Sequence, residues 1–350
     1  MRALECCSKF MRFFTRNGAP TESCANYFNL ASPVRRPHYP STFMPKMRRC
    51  LLVLPAVLLA YGGVAARAQK AVTAPETGRL LALHRHYQSV AAMSAQGRLA
   101  EAEAELRVIV STCREVFGTE HPDTLVSRSD LAATLAEEGK YAEAEKENRA
   151  VLAIRQEVLG KEHPDTLLSR NNLAATLQEQ GRHAEGVREY RAVLAVRQRL
   201  LGPENLDTLD SRNNLATALN DQGRHAEAEK EHRAVLALRE KLLGAHHPKA
   251  LASRNNLAAV LQEQERHGEA EREHRTVLAL REKVLGGKHT DVFLSCFNLA
   301  LCLEAQSKYG EALVLMQRAQ AGFRKSLGAG HPYTLAAEES RMRIAAEINK

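Results

Sequence analysis

The sequence repeats with a period of 42 residues, and this period limits the folds that the chain can adopt. Histidines in the same local context recur at this period: His121, His163, His247, His289 and His331. Asn205 occupies the one position of the series that lacks a histidine. A repeat of this length holds one supersecondary unit, which buries its apolar face only against its neighbours. The period therefore predicts an array of stacked units rather than a domain with one central core.

The predicted array contains a degenerate unit, five full units and a closing helix. The degenerate unit covers residues 80–118 and keeps only the second half of the pattern, and residues 69–79 are predicted to form a linker before it. The full units cover 121–160, 163–202, 205–244, 247–286 and 289–328. The closing helix covers 331–349 and keeps only the first half of the pattern.

Each unit is predicted to contain two helices. In the second full unit, Pro164 suits the first helical turn, and Asp165 complements the helix dipole there. Gly181 ends this helix, and a second helix runs over 184–201 until Gly202 closes it. The chain has no Trp and only 5% aromatic residues, while Ala, Leu, Glu and Arg are abundant. The sequence therefore favours an all-α fold.

One face of each first helix is apolar and recurs in every full unit. Leu173, Ala174 and Leu177 define this face in the second full unit. We predict that it packs the array together, because apolar residues at helical spacing form a buried stripe. The small alanine lets the partner helix approach closely, so a large residue there would overpack the unit.

The opposite face of the first helix carries pairs of asparagines. The pairs are Asn171 with Asn172, Asn213 with Asn214, and Asn255 with Asn256. Asn is a mediocre helix former, so its recurrence indicates a role beyond helix propensity. Its amide has a donor and an acceptor, which can pair with the backbone of an extended peptide or can tie neighbouring repeats together. Both interpretations stay open.

Further polar residues follow the asparagines along the first helices and are candidates for the same groove. They are Gln178, Asn220, Gln262 and Glu304. The alternative is a solvated helix face, which is the commoner environment for Gln and Glu.

The repeat resembles the tetratricopeptide repeat in its 42-residue, kinesin-light-chain-like form. The resemblance covers roughly residues 80–349 and rests on the -NNLA-x-x-L-x-x-QG(K/R)-x-x-E-(A/G)- core and on the -LG-x-x-HP- linker. It implies a right-handed superhelical solenoid of antiparallel helix pairs, with first helices lining a concave groove. It also implies that the peptide groove is lined by Asn172, Asn214, Asn256 and Asn298.

A row of arginines recurs near the packing face of the first helices: Arg128, Arg170, Arg212 and Arg254. A buried guanidinium needs partners. Four glutamates that recur in the second helices could supply them: Glu143, Glu185, Glu227 and Glu269. We favour structural ion pairs, although four arginines at one-repeat spacing could also grip an acidic ligand.

The last full unit departs from the pattern. Phe297 replaces the first asparagine, Cys296 replaces the arginine, and the apolar run 313–316 replaces a charged stretch. A binding pocket is one interpretation. The other is that the closing helix needs an apolar surface, since terminal repeats are commonly atypical.

The formal net charge of +8 lies in the first 68 residues. That segment holds ten Lys and Arg and two acids, so the remainder is balanced with 39 side chains of each sign. This balance argues against a nucleic-acid partner for the array.

Residues 44–68 resemble a secretory signal peptide cleaved after Ala68. They combine a basic start, an apolar run over 51–60 and small residues before the cleavage point. The run is too short to span a bilayer, so no stable membrane insertion is expected. Residues 1–43 are predicted to be a non-native or disordered leader, with Met1, Met44 or Met47 as the true start, and an organelle transit peptide is the alternative.

Neither a metal site nor a catalytic constellation is predicted. The histidines lack ligand spacing, and no HExxH motif, phosphate loop or nucleophile elbow occurs. We therefore expect a monomeric, non-enzymatic scaffold without a cofactor, secreted or periplasmic, that binds an extended peptide or protein segment. The alternative is a cytosolic regulatory or adaptor module within a larger complex.

Overall fold

The computed structural model describes residues 74–95 and 97–349. The predicted leader over 1–43 and the predicted signal peptide over 44–68 lie outside these residues. Thirteen helices and no strand occur in the part that is described. The helices are α1 Ala74–Ala95, α2 Leu99–Phe117, α3 Pro122–Glu137, α4 Tyr141–Val158, α5 Pro164–Glu179, α6 His183–Leu201, α7 Leu206–Asp221, α8 His225–Leu243, α9 Pro248–Glu263, α10 His267–Leu285, α11 Thr290–Glu304, α12 Tyr309–Leu327 and α13 Pro332–Ile348.

The helices follow the 42-residue period, which confirms the all-α fold of consecutive helix pairs. Odd-numbered helices are the first helices of their units, and even-numbered helices are the second helices. The first helix starts at Pro164, as predicted, and the second helix begins at His183, one residue before the predicted start.

The histidines that recur every 42 residues are the N-caps of the first helices. The backbone N–H of Asp123 donates to Nδ1 of His121 at 3.3 Å, and the N–H of Asp207 donates to Oδ1 of Asn205 at 2.9 Å. The same bond forms at His163, His247, His289 and His331. Each acceptor satisfies one of the free N–H groups of the first helical turn. Asn205 can therefore replace a histidine without loss of the cap.

The turns between the two helices of a unit require a left-handed residue. Gly181 and Gly223 have φ angles of 77° and 78° there, which glycine adopts freely because it has no Cβ. Glu265 and Ser307 occupy the same position in the next two units, with φ angles of 60° and 59°. A side chain in this conformation costs about 1–2 kcal/mol. These two turns are therefore strained.

Two compact units make up the chain, and the division falls within α5, between Asn172 and Leu173. In the N-terminal unit, Leu106 and Ile109 of α2 are completely buried and pack in one cluster with Leu131 and Leu135 of α3. Each such side chain contributes about 1.5–3 kcal/mol through burial. The cluster joins helices that are neighbours in the sequence, as expected of a repeat array.

Helix α1 differs from the prediction of a linker over residues 69–79. Residues 74–79 belong to α1, so the degenerate unit has a complete helix pair. Leu83, Tyr87 and Val90 of α1 are buried at helical spacing and join the core of this unit. The sequence did not reveal this helix because it contains none of the residues that identify the other first helices.

In the C-terminal unit, the core is largest at its end. Phe297 of α11, Met316 and Phe323 of α12, and Ile344 of α13 are completely buried in one cluster. The apolar substitutions in the last full unit therefore form the packing surface for the closing helix. This placement supports the second of the two interpretations given for that unit.

Ion pairs link successive second helices on their outer sides. Arg275 of α10 contacts Glu311 of α12 at 2.7 Å, and Lys308 contacts Glu271 at 2.7 Å. Exposed pairs of this kind contribute about 0.2–1 kcal/mol each. They add a small amount to each interface between units.

Candidate functional site

The apolar face of the first helices is occupied by the array itself. In α7, Leu215, Ala216 and Leu219 are buried, as predicted. Ala174 of α5 and Ala258 of α9, which occupy the position of Ala216, are also completely buried. This face packs the array and is unavailable to a ligand.

The asparagines form a ladder between first helices of the C-terminal unit. The side-chain N–H of Asn256 donates to Oδ1 of Asn213 at 3.0 Å, and that of Asn298 donates to Oδ1 of Asn255 at 2.9 Å. The second asparagine of one unit thus reaches the first asparagine of the preceding unit. The amides tie neighbouring repeats together, which was one of the two predicted roles.

The ladder corrects the groove prediction for part of the set. Asn256 and Asn298 are completely buried, so a peptide cannot reach their amides in this structure. The first asparagines are buried as well, and they are Asn171, Asn213 and Asn255. Asn172 in the N-terminal unit and Asn214 in the C-terminal unit stay partly exposed and remain groove candidates.

The further groove candidates bond to the second helix of their own unit. Nδ1 of His183 lies 2.6 Å from Oε1 of Gln178, and the amide N–H of Gln178 donates to the carbonyl of His183. Nδ1 of His225 lies 2.7 Å from Oδ1 of Asn220. Gln262 bonds through Oε1 to a ring nitrogen of α10. These three amides connect the helix pair, and Gln178 and Asn220 are too buried to line a groove.

The arginine row forms ion pairs with the second helices. Arg128 contacts Glu147 at 2.7 Å, and Arg254 contacts Glu273 at 2.7 Å. Arg212 pairs with Glu231 in the same way. The acids lie one helical turn beyond the predicted partners, Glu143, Glu227 and Glu269. A helical wheel shows which side of the helix a residue faces. It does not show which turn of the partner helix the end of a long side chain contacts. The guanidinium groups of these three arginines are occupied within the chain.

Partly exposed polar groups remain on one stripe of the C-terminal unit. Asp207, Asp210 and Asn214 lie at i, i+3 and i+7 on α7 and so share a side of that helix. Oδ2 of Asp210 contacts Nζ of Lys249 at 2.9 Å, and Oδ1 contacts Arg239 at 2.5 Å. We call these residues of α7, with Lys249 of α9, the first-helix face. It offers carboxylates, an amide and an ammonium group to a ligand.

Comparison with known proteins identifies the repeat. The family model described as tetratricopeptide repeat matches residues 82–157, 127–185, 165–241, 211–283 and 250–325. These overlapping matches cover most of the described chain. The protein belongs to the tetratricopeptide repeat family.

Solved structures agree with this assignment. The kinesin light chain nearly identical TPR-like repeats from Podosopora anserina are 29% identical, with a TM-score of 0.50 over 58% of this chain and 96% of that chain. BtubC from P. vanneervenii is 22% identical, with a TM-score of 0.53 over 67% of this chain and 94% of that chain. NprR in complex with its cognate peptide NprX is 10% identical, with a TM-score of 0.56 over 88% and 87%. The last two show the fold alone. The repeats have the kinesin-light-chain-like form. The comparison with curated proteins found no match.

A second arginine series inside the tetratricopeptide repeats was missed in the sequence. Arg155 of α4, Arg239 of α8 and Arg281 of α10 are buried, and each donates to a serine in the first helix of the next unit. Nη1 of Arg281 donates to Oγ of Ser295 at 2.8 Å and to the carbonyl of Asp291 at 3.2 Å. Burial lowers the pKa of Arg155 and Arg239. The 42-residue recurrence of an arginine within an aliphatic run of the second helix was the available signal.

Burial raises the pKa of every thiol in the tetratricopeptide repeats and so disfavours the thiolate form. Cys113, Cys296 and Cys302 are free and buried, and burial raises the pKa of Cys302 to about 12. Over 74–95 and 97–349, no group of three or more His, Cys, Asp or Glu side chains is placed to hold a metal ion. None of the helices in these ranges combines the length and apolarity that a bilayer span requires.

Proposed function

We propose that the chain is a non-enzymatic protein-interaction scaffold that binds an extended peptide or protein segment along the first-helix face of the C-terminal unit. The observation that carries this proposal is the difference between two asparagines at equivalent positions. Asn256 is completely buried, and its amide is hydrogen-bonded to Asn213 in the ladder. Asn214, in contrast, is partly exposed beside Asp207 and Asp210.

The chemistry of this face suits the backbone of a peptide. The Asn214 amide can donate to a peptide carbonyl and accept from a peptide N–H, whatever side chains the peptide carries. Lys249 and Arg239 hold the Asp210 carboxylate in place, so little side-chain entropy is lost when it accepts a bond. Asp207 is exposed and gives the face a preference for a cationic residue.

Relatives support the proposal at the level of the fold. Tetratricopeptide repeats cover most of the chain, and NprR, which has the same fold at 10% identity, was solved with its cognate peptide. Function depends on the site rather than on the fold, so the residues of the first-helix face must be tested directly.

A matched pair of variants tests the proposal against an array of immobilised extended peptides. Asn214→Ala together with Asp207→Ala should weaken peptide binding and lower stability by no more than about 1 kcal/mol, because both side chains are accessible and Asp207 stabilises α7 through the helix dipole. Asn256→Ala should lower stability by about 1–3 kcal/mol, because it leaves the buried Asn213 amide unpaired. Unchanged binding in the folded Asn214→Ala, Asp207→Ala variant would refute the peptide face.

We also propose export through residues 44–68. The support is the order of basic start, apolar run and small residues in the sequence. Sequencing the N-terminus of the protein purified from its native cell tests this. Gln69 as the first residue would support export. An intact leader would favour the alternative, a cytosolic regulatory or adaptor module.

A further inference from the structure

The first-helix face changes the sign of its charge between α7 and α9. Lys249 is the second residue of α9 and follows Pro248. The other four full units carry an aspartate at this position of the repeat: Asp123, Asp165, Asp207 and Asp291. The series therefore reverses its charge in one unit only, and it does so in the unit after Asp207, whose side chain is exposed.

The surplus positive charge of this region lies at Lys249. Oδ1 of Asp210 contacts Arg239 at 2.5 Å and Oδ2 contacts Nζ of Lys249 at 2.9 Å, so two cations and one carboxylate leave a net charge of +1. The Arg239 side chain is 5% exposed and also donates to Oγ of Ser253 and to the backbone carbonyl of Lys249. The Lys249 side chain is 39% exposed. A ligand can therefore meet the surplus charge only at the ammonium group of Lys249.

The accessible negative charge of the face lies at Asp207. Over residues 74–95 and 97–349, no ion pair or hydrogen bond occupies its carboxylate oxygens. Arg197 of α6 donates to the backbone carbonyl of Asp207 at 2.9 Å and to Oγ of Ser211 at 2.8 Å, not to the carboxylate. Burial lowers the pKa of Arg197, and the charges of Asp207 and Asp210 oppose this shift. The carboxylate of Asp207 is therefore available to a cationic group of a ligand.

The separation of the two charges sets the spacing of residues in an extended ligand. The ladder bond from Asn256 to Asn213 joins α9 to α7, so these helices are packed neighbours. The axes of packed helices lie about 8–10 Å apart. In an extended chain, side chains two positions apart project to the same side and are about 7 Å apart. Two long charged side chains at positions i and i+2 can therefore meet Asp207 and Lys249 together.

We propose that the extended segment bound by the first-helix face carries one cationic and one acidic residue at positions i and i+2, with the cationic residue at Asp207 and the acidic residue at Lys249. This inference rests on the proposed function and specifies the segment that the same face selects. A like-charged pair would place one of its side chains against a charge of its own sign. Each exposed ion pair of this kind changes an affinity by about two- to fivefold.

Fluorescence anisotropy with four otherwise identical peptides and the full chain tests the charge pattern. The peptides carry Lys-x-Glu, Glu-x-Lys, Lys-x-Lys or Glu-x-Glu at their centre. One of the two mixed orders should bind about two- to fivefold more tightly than either like-charged peptide, and the order that binds gives the direction of the segment along the face. This advantage should shrink at about 1 M salt, where the Debye length is about 3 Å.

Lys249→Asp reverses the positive end of the face with little disturbance of the fold. It restores the residue that the other full units carry, and an acid in the first turn of α9 suits the helix dipole. The variant should bind the Lys-x-Lys peptide about two- to fivefold more tightly than both mixed peptides. Lys230→Glu is the matched control, because it changes the net charge by the same amount on the exposed side of the second helix α8, and it should keep the parental preference. Circular dichroism must show the parental helical content in both variants.

The possible outcomes separate this inference from the proposed function. Equal binding of mixed and like-charged peptides, or an unchanged preference in Lys249→Asp, overturns the charge pattern and leaves the peptide face standing. Absence of binding to all four peptides refutes the peptide face and the charge pattern together.

Discussion

Two buried histidines are expected to make the C-terminal unit sensitive to acid. His232 of α8 and His274 of α10 occupy equivalent positions and are completely or almost completely buried. Neither ring nitrogen of His232 has a hydrogen-bond partner, whereas Nε2 of His274 bonds to Gln262. Burial, followed by the charge of Arg239, lowers the pKa of His232 to about 3. Burial and a neighbouring arginine lower the pKa of His274 to about 3 as well.

The sign of the pH effect follows from these shifts. The pKa of each histidine in the folded chain lies below its ordinary value of about 6.5, so the unfolded chain binds the proton first as the pH falls. The stabilisation from the neutral rings is present above pH 6.5 and is lost as the pH drops towards 3. Between pH 7.5 and pH 5.0 the loss is about 2 kcal/mol for each histidine and about 4 kcal/mol for the pair. This is a large part of the 5–15 kcal/mol that stabilises a typical domain.

Urea unfolding followed by circular dichroism at pH 7.5, 6.0 and 5.0 measures the effect. The control is the double variant His232→Met, His274→Met, since Met316 occupies this position in the last unit and is completely buried. Between pH 7.5 and pH 5.0, the free energy of unfolding should fall by about 4 kcal/mol less in the variant than in the parent. His331, whose burial lowers its pKa to about 4, still titrates in both proteins. Equal pH dependence in the two proteins would refute the argument.

Three further substitutions follow from the packing. Arg281→Ala should cost about 3–5 kcal/mol in urea unfolding because it leaves buried acceptors unpaired, whereas exposed Arg275→Ala on the same helix should cost less than about 1 kcal/mol. Glu265→Gly should raise the free energy of unfolding by about 1 kcal/mol, since it removes the strain of a side chain at φ 60°, and an unchanged or lower value would contradict this. Gly322→Ala should lower the melting temperature because its Cβ meets an aromatic ring at 2.3 Å, whereas Gly310→Ala, with open space around it, should not.

The sequence predicted the asparagines in the right helices but could not assign their roles. An asparagine amide pairs equally well with a peptide or with another amide, so spacing alone left both interpretations open. The structure separates Asn256, which reaches the ladder, from Asn214, which stays partly exposed. The difference depends on how closely consecutive first helices approach, and that distance is a property of the packed array.

The arginines show the same limit. The wheel placed Arg128 and Arg254 beside acidic second helices, and both form ion pairs there. The partners are one turn away from those predicted, because a long side chain can end at either of two turns. The buried series that includes Arg281 was missed, since a charged residue in an aliphatic run looks like an exposed position until the next unit is packed over it.

By itself, the sequence determined the repeat period and, for the five full units, the helix pairs and the approximate points at which their helices start and end. These features depend on local interactions: the apolar spacing within a helix, the proline and acid of the first turn, and the glycine that adopts a positive φ. Only the tertiary structure decided which polar groups are paired inside the array and which remain accessible to a ligand. These outcomes depend on contacts between units 42 residues apart, and such contacts exist only once the units are stacked.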